Sequence, residues 1–272
     1  MKKYNFISGL PRAGSTLLSS ILNQNPHFSA GISDCLHSYT HSIIQDTDQS
    51  VGIGTLIPIE KRKEIIRGIF DSYYSDKNEV CFNTNRAWTA DTYLLKSLFP
   101  DFRMIVMIRN IEWILNSFEH LHQKNPYTIK PLYHHKDLPN SMTRCAMLMG
   151  ELGDAGYVKG PLDCVMSSVN SAEAPQIVYV TYGSLVKQPE KTMRSIYDFI
   201  GEEYFEHDFK NVDCQYDDFD NQAKIDGLHT VRKEVSYKEQ KVIIPDNLFE
   251  HYSQFNVLNN IDTNLINLIN YR

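Results

Sequence analysis

Asn5-Phe6-Ile7-Ser8-Gly9-Leu10-Pro11-Arg12-Ala13-Gly14-Ser15-Thr16-Leu17-Leu18-Ser19-Ser20-Ile21-Leu22 opens the chain and decides its fold. A short apolar run, Asn5–Ser8, reads as a strand. It enters a glycine-bounded turn and leaves into apolar positions three and four apart, the pattern of a helix over about Ser15–Asn25. Strand, glycine loop and helix in that order form an anion cradle. Unpaired N–H groups and the positive dipole end at the helix start favour negative charge, and glycine lets the backbone approach it.

The interval Gly9-x-x-x-x-Gly14 equals that of a Walker loop, yet Ser15 stands where a nucleotide hydrolase carries its lysine. Without that lysine the loop is poorly equipped for a β,γ-phosphate with magnesium. The cation comes earlier, from Arg12, whose planar fork suits a pair of phosphate or sulfate oxygens.

Outward from this loop, short apolar runs alternate with helical patterns. Further strands are expected at Val80–Asn83, Met104–Ile108 and Ile177–Val180. Helices are expected at about Glu60–Ser75, Thr89–Phe99, Glu112–His122, Ser141–Leu152 and Glu190–Ile200. The expectation is an α/β, P-loop NTPase-like three-layer fold with a mostly parallel central sheet flanked by helices. A length of 272 residues, 42% of them hydrophobic, suits one domain over 1–272. An irregular excursion within about 123–175, rich in Pro126, Pro131 and Pro139, reads as a lid or acceptor-site wall with Tyr127, Tyr133, His134, His135 and Lys136. Tyr216–Asp220 reads as a solvated acidic turn, and the path beyond about residue 205 is not legible.

A net charge of −6 argues against general nucleic-acid binding, so any anionic ligand must be held by local cations. The residues before Pro11 are too few for a signal-peptide core or membrane span, which points to the cytoplasm. Cys35, Cys81, Cys145, Cys164 and Cys214 form no C-x-x-C pair and read as reduced thiols. No His-Glu-x-x-His or aspartate-rich pattern calls for a metal.

The expected strand Met104–Ile108 ends in Arg109, and Ser117 follows eight residues later, about two helical turns. Such a pair can bind one phosphate. Gly9–Leu18 resembles the 5′-phosphosulfate loop of sulfotransferases that use 3′-phosphoadenosine-5′-phosphosulfate (PAPS), with Ala13 and Ser15 as departures. Arg109 with Ser117 resembles that family's 3′-phosphate motif. Phe82-Asn83-Thr84-Asn85-Arg86-Ala87-Trp88 is similar to a bacterial sulfotransferase pattern that has an acid and a lysine where Asn83 and Thr84 stand. Tyr179–Val186, with Pro189-Glu190 and Phe199-Ile200-Gly201, and the late loop Gly227–Lys233 extend the likeness over most of the chain.

The resemblance implies transfer of a sulfuryl group from PAPS to an acceptor hydroxyl by in-line displacement, leaving 3′-phosphoadenosine-5′-phosphate (PAP). The acceptor can be a small molecule, a glycan or a peptide tyrosine. The resemblance implies that Pro11, Arg12, Ala13, Gly14, Ser15, Thr16, Arg109, Ser117, Arg232 and Lys233 hold the donor. Tyr182 joins them by likeness to the tyrosylprotein branch. Arg12 serves the leaving phosphate, and Arg86 is either a second cation at the sulfonate or a structural arginine on Trp88. For the general base, Asp34 stands nearest the position of the tyrosylprotein-branch glutamate, and His37, His41 and His229 compete with it. A non-catalytic nucleotide-binding protein on the same fold and a P-loop kinase are the alternatives.

Overall fold

β1 (Lys3–Gly9) is buried along all but its first residue, as a strand covered on both faces requires. The computed structural model describes residues 2–48, 52, 54–127, 133, 139–213, 220–222 and 225–271. Within them β2 (Phe28–Ala30), β3 (Val80–Thr84), β4 (Met104–Ile108), β5 (Ile177–Thr181) and β6 (Asn267–Ile269) join β1 in one sheet of order β2-β3-β1-β4-β5-β6. Every pairing is parallel. Phe6 registers with Asn83 on one side and Met104 on the other, so β1 is central. The order reverses there, and the carboxyl ends of β1, β3 and β4 open a crevice of the kind in which such sheets bind ligands.

The four strands expected from sequence lie within β1, β3, β4 and β5. β2 and β6 are three residues each, too short for a periodic signal. α1 (Ser15–Leu22) begins at the loop, followed by α2 (Leu36–Asp46) and α3 (Ile59–Tyr73). The helix expected over Thr89–Phe99 divides into a 3-10 turn, Arg86–Ala90, and α4 (Thr92–Leu98). Asn85 starts that turn by accepting the Ala87 N–H at 2.9 Å, which a continuous α-helix would not need. α5 (Ile111–Lys124) follows β4 and buries nine of its residues.

Of the expected excursion, residues 139–175 are packed structure. α6 (Ser141–Leu148) and α7 (Lys159–Val169) bury Cys145, Met147, Leu148, Leu162 and Val165. Arg144 of α6 donates to Glu119 of α5 through both Nε, at 2.9 Å, and Nη2, and the side chains are 9% and 6% exposed. Tyr133 is buried and Tyr127 fully outside the core, while His134, His135, Lys136 and Pro131 lie outside the described residues.

α8 (Tyr182–Lys187) and α9 (Pro189–Ile200) follow β5, and α9 ends at Gly201 with φ 68. The chain then returns across α5. Asn116 donates to the Lys241 carbonyl at 3.1 Å and accepts the Ile243 N–H at 2.8 Å, and Lys124 pairs with Asp226 at 2.8 Å. α10 (Asp246–Ser253) packs on α5 before β6 completes the sheet. In the core, Phe6 meets Trp88 edge to face at 5.3 Å and Phe102 at 6.0 Å. Among the described residues no helix is long and apolar enough to cross a membrane. Cys35, Cys81, Cys145 and Cys164 are unpaired thiols, and Cys214 lies outside the described residues.

Candidate active site

The loop between β1 and α1 turns back on itself through three left-handed residues, Gly9 (φ 118), Arg12 (φ 58) and Gly14 (φ 96). A Cβ on Gly9 would stand 2.1 Å from the Met107 carbonyl oxygen, so β4 passes where only glycine fits. No side chain caps α1 at Gly14, and its first-turn N–H groups therefore lack the partner a capping residue would supply. The backbone here is shaped to receive an anion.

A cavity of about 1010 Å³ lies above this loop and the carboxyl ends of β1, β3 and β4. Its described wall carries six cationic side chains, Arg12, Arg86, Arg109, Lys187, Arg232 and Lys238, against one carboxylate, Glu234. The cations expected from an acidic chain with an anionic ligand are thus gathered at one place.

Arg12 does not curl back over the loop. Its Nε donates to Ser117 Oγ at 3.2 Å, and its Nη1 donates to the carbonyls of Leu228 and, at 3.4 Å, Gly227. Arg109 donates from Nη1 to the Arg12 carbonyl at 3.1 Å and from Nη2 to Gln240 at 3.3 Å, and its guanidinium lies 4.5 Å from the centre of the Tyr182 ring. Tyr182 is held there by its place at the start of α8, where Thr181 Oγ1 accepts the Ser184 N–H at 3.2 Å. Arg12, Arg109, Ser117 and Tyr182 form one contiguous group. Burial and the Arg109 charge lower Arg12 to about 10, and burial lowers Arg109. A bound anion relieves two guanidiniums whose charge burial disfavours, and at Arg12 it also offsets the charge of Arg109.

Gly14, Ser15, Thr16 and Arg232 also line the cavity. Pro11 and Ala13 do not. Ala13 is fully buried with its methyl in the core, so a hydroxyl at that position would meet apolar side chains rather than a ligand. Lys233 also stands off the wall, its carbonyl accepting the Val212 N–H at 2.7 Å.

Arg86 lines the cavity over the Tyr157 ring at 4.9 Å. It is not stacked on Trp88, whose indole is buried and donates to Asn83 Oδ1 at 2.7 Å. Asn83 is likewise buried and donates to Asp34 and, at 2.9 Å, to Tyr74. Asp34 spends its other oxygen on the Leu36 N–H at 2.9 Å, starting α2. It does not line the cavity, and burial, its first influence, raises its pKa against these donors. Thr84 reaches the wall and donates to the Gly31 carbonyl at 2.7 Å.

His229 lines the cavity. Its Nδ1 lies 2.8 Å from Asp220 Oδ1, and its own backbone N–H donates to both Asp220 oxygens at 3.0 and 2.8 Å. Burial lowers its pKa although Asp220 pulls the other way. Asp220 is itself buried, 7% exposed, so the acidic turn expected over Tyr216–Asp220 is not solvated at this residue; its other residues lie outside those described. Nothing in the spacing of 220 and 229 marks the pair, because the contact closes a loop rather than a helical turn. Gln240 and Asn116 were equally unmarked. His37 and His41 do not line the cavity.

The sulfotransferase domain family model matches residues 3–224. No curated protein matches the chain. Among solved structures, the sulfotransferase domain from the curacin biosynthetic pathway aligns with a TM-score of 0.51 at 14% identity, over 75% of this chain and 76% of that one. Sulfotransferase STF9 from Mycobacterium avium aligns at 0.47 and 13% identity over 74% of this chain, which spans 64% of that one. Mouse sulfotransferase SULT7A1, complexed with PAP, aligns at 0.47 and 14% identity over 97% of this chain and 81% of that one. These likenesses concern the fold alone. With four-fifths of its length under one family model, this chain belongs to the sulfotransferase domain family.

Proposed function

We propose that this chain moves a sulfuryl group from PAPS to an acceptor hydroxyl. The observation that carries the reading is the joined group Arg12, Ser117, Arg109 and Tyr182 beside a glycine-shaped, uncapped helix start. The donor supplies the sulfuryl group and a 5′-phosphate as leaving group. Arg109 and Ser117 hold its 3′-phosphate, with the Tyr182 ring fixing the guanidinium plane. The N–H groups of Gly14, Ser15 and Thr16 take up charge on the 5′-phosphate, and Arg12 stands between the two anion sites. Arg86, on the same wall, faces the transferring sulfonate, and Arg232 closes the mouth.

His229 is the base that removes the acceptor proton. With Asp220 orienting the ring from Nδ1, the imidazole takes the proton while the acceptor oxygen bonds sulfur and the bond to phosphate breaks. Asp34 is less suited to the task, being tied to Leu36, Asn83 and Tyr74 behind the wall. A kinase would want a carboxylate for magnesium at a strand end, and the one carboxylate on the described wall, Glu234, belongs to the late segment. The unpaired thiols fit a reducing compartment, which favours the cytoplasm.

Thermal melting with PAP, beside ATP with magnesium, tests the reading without knowledge of the acceptor. PAP at a hundredfold excess over its dissociation constant adds about 2.7 kcal/mol and raises the melting temperature by several degrees. Arg109→Ala and Ser117→Ala are expected to remove that shift. Stronger stabilisation by ATP with magnesium would reassign the chain as a kinase. PAP binding with no sulfuryl transfer to any hydroxyl in a donor-consumption assay would mark a non-catalytic protein. In the active enzyme, Arg12→Ala is expected to lower kcat by about 10²–10³-fold, the usual cost of one preorganised donor at developing charge.

A further inference from the structure

His37 and His41 stand four apart on α2 and share one face. Their Nε2 atoms each lie 2.8 Å from the same oxygen, Oδ2 of Asp91, and their ring centres are 4.5 Å apart. One ligand atom from each of the three residues falls within 4.8 Å of the others. Asp91 occupies the N-cap position of α4, where an aspartate normally turns its carboxylate onto its own helix. Here it makes no capping bond, although the side chain is only 10% exposed. The carboxylate forgoes its local partner to meet two imidazoles from another helix. None of the three residues lines the transfer cavity.

We propose that His37, His41 and Asp91 form a binding site for a divalent first-row transition cation, zinc foremost, separate from the donor site. A histidine pair four apart on a helix chelates from one face. Zinc holds nitrogen and oxygen ligands at about 2.0–2.2 Å, which in a tetrahedron sets them about 3.3 Å from one another. The ion enters when the two histidine–aspartate contacts lengthen by about half an ångström from 2.8 Å. Two imidazole nitrogens and one carboxylate favour zinc, cobalt or nickel over magnesium and calcium, which take oxygen ligands. A water completes the fourth position, and His41, with its side chain 39% exposed, gives the entry path.

The bound ion ties α2 to the junction between the Arg86–Ala90 turn and α4. His37 already packs edge-on to Trp88 of that turn at 4.7 Å. The site thus stiffens the turn that carries Arg86 from behind and takes no part in the transfer.

Zinc titration of the chelator-treated full chain, followed by calorimetry and by melting, tests the site. One equivalent is expected to bind and raise the melting temperature. His41→Ala is expected to weaken binding by at least about 100-fold, beyond the 10–100-fold that loss of an outer partner costs. Asp91→Asn should weaken it too, and supplies the answer if His41→Ala does not fold. His229→Ala should bind zinc as the parent does, and magnesium should bind none of them at this site. Cobalt in place of zinc should give a low-coordinate visible spectrum that His41→Ala abolishes. Zinc binding equal in the parent and both site variants, or lost in His229→Ala instead, would show an ordinary hydrogen-bonded triad, with each imidazole donating Nε2–H to one carboxylate. Melting with PAP in metal-free buffer reads the donor site independently of this outcome.

Discussion

His229→Ala is expected to slow sulfuryl transfer by about 10²–10⁴-fold at neutral pH, the range a positioned general base contributes, while leaving PAP binding nearly intact. The base must be neutral to accept a proton, and burial pushes the His229 pKa below the ordinary histidine value. The enzyme should therefore keep its rate as pH falls through 6.5, and lose it about tenfold per pH unit only below the lowered pKa. Asp220→Asn supplies the control. Asp220 raises the His229 pKa, so removing its charge moves the acid limb to still lower pH, while looser ring orientation lowers kcat. A structural role alone would not move that limb. If His229→Ala keeps the parent's pH–rate profile, the proton goes elsewhere and the base must be sought again.

The second large effect concerns stability. Glu119 and Arg144 are paired in near-complete burial between α5 and α6, so removing either partner breaks a two-pronged contact between buried charges. Glu119→Ala or Arg144→Ala is expected to cost about 3–5 kcal/mol in urea or guanidinium unfolding. Glu119→Leu combined with Arg144→Met should recover most of that loss, because a well-packed apolar pair escapes the desolvation cost of two buried ions. Single variants within about 1 kcal/mol of the parent would mean that water reaches the pair and screens it. Arg144 lies in the stretch that the sequence marks as an excursion over about 123–175, and Glu119 on the helix before it. The pair's buried anchoring of α6 explains why residues 139–175 pack as part of the body, with Tyr157 reaching the cavity beneath Arg86.

Local pattern in the sequence alone accounts for the centre of the fold. Strand β1, the glycine loop and α1 follow one another within twenty residues, and their periodicity and turn chemistry are properties of neighbouring residues. The unbroken apolar runs Met104–Ile108 and Ile177–Val180 identify interior parallel strands for the same reason. Arg109 at the end of β4 and Ser117 along α5 could be read because a helix fixes their separation. The partners between distant segments were set by packing instead. Arg12 meets Ser117 across 105 residues, Arg109 meets Gln240 across 131, and Asp34 is drawn to Asn83 and away from the cavity. Asp220 becomes a buried partner of His229, and Asp91 leaves its own helix for His37 and His41. A loop carries no period, and a polar side chain buried by folding takes whichever donor or acceptor the packing brings within reach.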